Sequence, residues 1–141
     1  MKILGIDTGE KRIGIAVSDA LGIIASPLKV IGVKTEEDAL AQIIETIESI
    51  KPSEIVIGLP RRTDGKIGEA EEKAKIWAEK IKSKTSIPIR MWDERFTTKE
   101  AERMLIARNV RREDRKQLID KVTAAIILQS YLDSRPARKQ E

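Results

Sequence analysis

At 141 residues, 40% hydrophobic and 35% charged, the chain has the make-up of a folded protein with one substantial core rather than of a disordered one. It contains no cysteine and no histidine, which excludes disulfides, thiolate nucleophiles, Ser-His triads and imidazole bases, and disfavours zinc. The balance is modestly basic, +4 at neutral pH; with no apolar run fit to span a bilayer and no cleavable leader, the chain reads as cytoplasmic and without a membrane partner.

The first element is the stretch ILGIDTGEKRIGIAVSD, Ile3 to Asp19, in which two apolar runs flank a short polar segment. That pattern predicts a β-hairpin with largely buried strands. Asp7 stands at the end of the first strand, where a carboxylate gains little structurally. Gly9 suits the tight turn behind it, Gly14 a close backbone approach, and Lys11 and Arg12 lie beside it. A third apolar stretch, about Leu28 to Val33, follows Ser26-Pro27 and extends the same sheet.

A helix comes next. Thr35 is a good N-cap, Glu36, Glu37 and Asp38 suit the positive end of the helix dipole, and Leu40, Ile43, Ile44, Ile47 and Ile50 recur at helical spacing before Pro52. EIVIGLP, Glu54 to Pro60, reads as a buried parallel strand. The polar loop with Arg61, Arg62 and Lys66 then leads to a helix whose expected apolar face is Ala70, Ala74, Trp77, Ala78 and Ile81. IPIRMWDE, Ile87 to Glu94, is the next strand, and Thr97 with Glu100 has capping-box spacing for another helix. The last helix spans about Arg115 to Ser134, with an expected stripe of Leu118, Val122, Ala125, Ile126, Gln129 and Leu132.

The order β-β-β-α-β-α-β-α-α implies a mixed α/β sheet covered by helices, in one domain over 1–135, with a polar tail over 136–141. Arg108, Arg111, Arg112, Arg115 and Lys116 crowd the approach to the last helix. A phosphate-backbone partner explains that cluster, and a solvated loop explains it equally well.

Ligands of open α/β sheets sit beyond the carboxyl ends of parallel strands. Asp7 and the Asp93-Glu94 pair fall at such ends, and Asp120 lies on the last helix beside Ala124 and Ile127. Gathered carboxylates repel one another unless a divalent cation lies between them, and two such cations about 4 Å apart can clamp both oxygens of a phosphodiester displacement. With oxygen ligands only, Mg²⁺ or Mn²⁺ fits best. Each acid also has a plain structural reading: Asp7 capping its turn, Asp93 or Glu94 pairing with Arg95, Asp120 pairing with Lys116 or Lys121.

Four segments in order, GIDTGEKRIGIAVSD, IVIGLPRRTDGKIGEA, DERFTTKEAERML and IDKVTAAIILQSYLD, resemble the motifs of the YqgF family of Holliday-junction-resolvase-like bacterial nucleases. The resemblance spans Met1 to Asp133. It implies a ribonuclease H-like fold, a five-stranded mixed β-sheet with helices on both faces. It further implies an acidic, metal-binding and catalytic set of Asp7, Glu94 and Asp120. Glu94 is favoured over Asp93 because RuvC-type resolvases carry a glutamate followed by a polar residue there. Nucleic-acid contacts fall to Lys11, Arg12, Arg61, Arg62, Lys66, Arg95, Arg111 and Arg112.

RuvC-type resolvases resemble the last helix but carry a second aspartate three residues after the first, where Thr123 stands here. That difference tilts the expected substrate from branched DNA toward RNA, with processing of the 5′ end of pre-16S rRNA as the implied activity, by a monomer or weak homodimer. Two readings of other classes remain open at this stage. One is an actin-like or sugar-kinase-like ATPase, which also opens with a GIDxG hairpin but needs two domains around its nucleotide. The other is a non-catalytic, ribosome-associated RNA-binding scaffold.

Overall fold

The computed structural model describes residues 1–60, 64, 66–97 and 115–135, with the side chains of Phe96 and residues 115–121 left aside. The strands are β1 (Ile3–Thr8), β2 (Arg12–Ser18), β3 (Ala25–Gly32), β4 (Glu54–Leu59) and β5 (Ile89–Asp93). The helices are α1 (Glu36–Ile50), α2 (Glu69–Lys82) and α3 (Arg115–Ser134). The sheet order is β3-β2-β1-β4-β5. Both hairpin pairs are antiparallel, whereas β4 runs parallel to β1 and to β5. This is the five-stranded mixed sheet implied by the sequence.

Alternation along each strand divides the core into two layers. Leu4, Ile6, Ile13, Ile15, Ile55 and Ile57 face α1 and α2, where they meet Ile43, Ile47, Trp77 and Ile81. Ile3, Ala16, Ala25 and Val56 face the opposite way, against Val122, Ala124, Ala125 and Leu128 of α3. Gly5 lets α3 lie close: a Cβ there would stand 2.8 Å from the Leu128 Cβ.

Local signals account for most boundaries. Thr35 caps α1 by accepting from the Asp38 amide at 3.1 Å, and Lys51, left-handed at φ 53°, ends the helix before Pro52. Strand β3 begins earlier than expected, because it lies at the sheet edge. There Pro27 sits opposite Ala16, as an edge strand tolerates, and a register shift at Ile15/Ala16 absorbs the extra residue. On α2, Ala70 is exposed and Glu71 is buried in its stead, paired with Lys75 at 3.1 Å. The stripe of α3 also differs: Ala124, Ile127, Leu128 and Tyr131 are buried, and Ile126 and Gln129 only partly. Gln129 spends its amide on the β2–β3 loop, accepting from the Ala25 N–H and donating to the Ile23 carbonyl.

The helix expected after Thr97, the basic stretch containing Arg111 and Arg112, and the polar tail lie outside the described residues. Among those described, no helix is long and apolar enough to cross a membrane.

Candidate metal centre at the sheet edge

The carboxyl ends of β1, β4 and β5 lie side by side. Register pairs Ile6 with Ile57 and Gly58 with Trp92, so Asp7, Gly58 and Trp92 form a row on the α3 side of the sheet. Asp7 stands opposite Gly14 of β2 and is partly buried.

Strand β5 ends at Asp93, and a 3-10 turn, Glu94–Phe96, follows. The two neighbouring acids leave the sheet in different directions. Asp93 continues the row of Ile89 and Met91 on the α2 side, where it holds Arg95. Glu94 bends over β4 instead. A Cβ on Gly58 would stand 3.0 Å from the Glu94 Oε2 and 2.7 Å from the Ile127 Cδ1, so the missing side chain leaves the room this carboxylate occupies. A glycine inside a buried strand signals such an approach, although not what approaches.

The surroundings of Glu94 disfavour its charge. Burial first, then the negative charges of Asp7 and Asp93, push its carboxyl up to about 7. A divalent cation between Glu94 and Asp7 would offset these negative charges, and the donor set is all oxygen, which fits Mg²⁺ or Mn²⁺. Among the described residues no three acidic groups close a metal cage, so a cation held by this pair would need a further donor.

Helix α3 bears on that donor through its direction. Ile127 lies over Gly58 near the carboxyl end of β4, while Tyr131, one turn later, donates its hydroxyl to Glu54 at the start of the same strand. The helix therefore runs against β4, and its earlier turns lie toward the carboxyl edge. Asp120 is four residues before Ala124 and eight before Leu128, on the row that crosses Gly5. Its side chain lies outside the described residues.

Lys11 and Arg12 are exposed on the β1–β2 turn. Lys66 is exposed, its amide bonded to the Asp64 carboxylate. Arg95 is half exposed and bonded to Asp93. Arg61, Arg62, Arg111 and Arg112 lie outside the described residues. Sequence reasoning missed Thr97 as a residue that holds the Glu94 peptide: its amide and hydroxyl both donate to the Glu94 carbonyl, at 3.1 and 2.7 Å.

Comparison with known proteins adds an independent line. The family described as "RuvX: Holliday junction resolvase" matches residues 1–134. A Dictyoglomus turgidum protein described as a "Putative pre-16S rRNA nuclease" is 48% identical over 134 residues, 95% of each chain. A Desulforamulus reducens protein of the same description is 44% identical over 134 residues, 95% of this chain and 98% of that one. Among solved structures, Thermus thermophilus RuvC in complex with a Holliday junction substrate superimposes with a TM-score of 0.59 at 17% identity, covering 94% of this chain and 95% of the other. The fowlpox virus Holliday junction resolvase does so with a TM-score of 0.59 at 16% identity, covering 96% and 100%. At such identities the likeness shows the fold, which is ribonuclease H-like.

Proposed function

The chain belongs to the RuvX Holliday junction resolvase family, and from that premise we propose that it is a divalent-metal-dependent endonuclease processing the 5′ end of pre-16S rRNA. The observation that carries the reading is the placement of Glu94 over Gly58, on the Asp7 side of the sheet and at the carboxyl edge of the parallel strands. Two partly buried acids, Asp7 and Glu94, share that edge, and burial with the charges of Asp7 and Asp93 raises the Glu94 carboxyl to about 7. A metal-binding role accounts for that cost.

Asp7, Glu94 and Asp120 hold Mg²⁺ or Mn²⁺ in this account. A bound divalent cation supplies charge for the phosphoryl oxygens and makes water a better nucleophile at neutral pH. The rest falls to the protein. The sheet fixes Asp7 and the turn after β5 fixes Glu94, so the acids are ordered before substrate arrives. Lys11, Arg12 and Lys66, with Arg61, Arg62, Arg111 and Arg112 of adjoining segments, take the phosphates on either side and set the register of the strand. The protein works in the cytoplasm as a monomer or weak homodimer.

RNA is favoured over branched DNA by the description of the curated relatives and by Thr123, which stands where RuvC-type resolvases carry another aspartate. The family description, naming Holliday junctions, favours the second reading, cleavage of branched DNA. A substrate panel separates them: a 16S precursor carrying its 5′ leader, a four-way DNA junction, and linear controls, each with Mg²⁺ or Mn²⁺. The proposal expects cleavage within the leader. Symmetric cuts in the junction with intact precursor would transfer the assignment to DNA. Binding without cleavage of any substrate would make the protein a scaffold.

A further inference from the structure

We propose that Asp93, Arg95 and Thr97 form a clip that positions Glu94, so that of the two acids ending β5 only Glu94 meets the metal ion. This inference rests on the reading of Asp7 and Glu94 as the cation site.

Both oxygens of Asp93 are engaged. Its Oδ1 accepts from the Arg95 amide at 2.9 Å, capping the 3-10 turn, and from the Arg95 Nε at 3.2 Å. Its Oδ2 accepts from the same Nε at 3.0 Å and from Nη2 at 2.8 Å. The planar guanidinium thus grips the carboxylate with a fork that a lysine does not reproduce. The Asp93 side chain is only 10% exposed and the Arg95 side chain 45%. Glu71, buried on α2, adds a second negative charge to the field around Arg95.

Downstream, the Glu94 carbonyl accepts both the amide and the hydroxyl of Thr97. The peptide of Glu94 is therefore held on both sides. Turning its backbone breaks the cap at Asp93 or both bonds from Thr97. What freedom remains belongs to the side chain, which Gly58 and Ile127 confine from below and beside. A carboxylate ordered in this way loses little entropy when an ion binds, and partners that orient a metal ligand typically matter by about 10- to 100-fold in affinity or activity. The motif DERFT, Asp93 to Thr97, is then one device: a clip, a ligand and a latch.

The discriminating measurement is a double-mutant cycle of Asp93→Ala and Arg95→Ala, with Asp93→Asn and Thr97→Val beside it. Each variant is read by kcat and KM on the cleaved substrate and by calorimetric titration with Mn²⁺ alone. The clip predicts that each alanine variant lowers kcat and Mn²⁺ affinity by about 10- to 100-fold, with KM for the nucleic acid within about twofold. The double variant is no worse than the worse single one, because the two side chains act together. Asp93→Asn keeps an acceptor for the Arg95 amide and loses less than Asp93→Ala.

An Arg95→Ala protein with intact kcat, raised KM and a salt slope lower by about 1 would identify a phosphate contact and overturn the clip. So would losses that multiply in the double variant, or Mn²⁺ affinity unchanged by Asp93→Ala. Failure of the underlying site looks different: Asp7→Asn then cuts and binds Mn²⁺ like the wild type.

Discussion

Adding one methyl group at Gly5 tests how α3 is seated. Carbon atoms in contact prefer about 3.5–4.0 Å, whereas an alanine Cβ at Gly5 would stand 2.8 Å from the Leu128 Cβ and 3.4 Å from the Ala124 carbonyl oxygen. The clash is with atoms fixed to the helix backbone, so no rotamer change relieves it, and the helix must retreat by roughly 1 Å. That retreat loosens Ala124, Ala125 and Leu128 together, all of them buried. Overpacking of this kind costs about 1–3 kcal/mol, and the reduced freedom of the unfolded chain returns roughly 0.4–1. A net loss of about 1–2 kcal/mol lowers Tm by roughly 3–8 °C in a chain of this size. Urea unfolding followed by circular dichroism, with a thermal melt alongside, measures both. Leu128→Ala does not rescue Gly5→Ala, because alanine keeps the Cβ that clashes. A Gly5→Ala protein as stable as the wild type would refute the close docking of α3, and would weaken the proposal that Asp120 joins Asp7 and Glu94.

Gly58→Ala separates stability from activity: the Ile127 Cδ1 at 2.7 Å is the end of a flexible side chain and yields, while the Glu94 Oε2 at 3.0 Å is pushed off its place. It should unfold within about 1 kcal/mol of the wild type yet bind Mn²⁺ about tenfold more weakly, and unchanged affinity would count against Glu94 as a ligand. Glu94 also sets a pH dependence: its carboxyl ionises near 4.5 in the unfolded chain and about 7 in the folded one. The metal-free protein should therefore lose on the order of 1–3 kcal/mol as pH rises from about 4.5 to about 7. Glu94→Gln removes this slope and saturating Mg²⁺ reverses it; melts across pH in a chain without histidine show either plainly. At the far end of the sheet, Tyr131 donates to Glu54, which also binds Arg90 at 2.9 Å, so Tyr131→Phe should cost about 0.5–1.5 kcal/mol in urea with Mn²⁺ affinity intact.

The elements readable from sequence were those whose signal is local. Thr35 with three acids behind it and isoleucines at helical spacing define α1 without help from the rest of the chain, and the apolar runs of β1, β2 and β4 are as plain. Where partners decide, local reading was less sharp. Glu71 rather than Ala70 is buried on α2, because Lys75 can pair with it. The buried side of α3 includes Ile127, Leu128 and Tyr131, because the helix presses on two glycines and meets Trp92, whose ring lies 5.4 Å from that of Tyr131.

The candidate site divides in the same way. A carboxylate ending an apolar strand announces Asp7 as unusual. The different courses of Asp93 and Glu94 require strand alternation, the register of β5 on β4, and the empty space at Gly58; the alternation is visible in a sequence, the glycine signals an approach without saying of what, and the register has no local signal. Thr97 has the spacing of a helix cap, so its bond to the Glu94 carbonyl had no separate signal. For Arg95 the sequence left two readings open, a nucleic-acid contact and a partner of Asp93 or Glu94, and in three dimensions its guanidinium is bonded to Asp93.

The most direct test of the account compares wild type with Asp7→Asn, at saturating Mg²⁺, on a 16S precursor with its 5′ leader, measuring cleavage and RNA binding in the same samples. The account predicts that the variant binds RNA within about twofold of wild type and loses cleavage by more than the roughly 100-fold typical of residues that merely orient a ligand. An Asp7→Asn protein that cuts at the wild-type rate would contradict the carboxylate site.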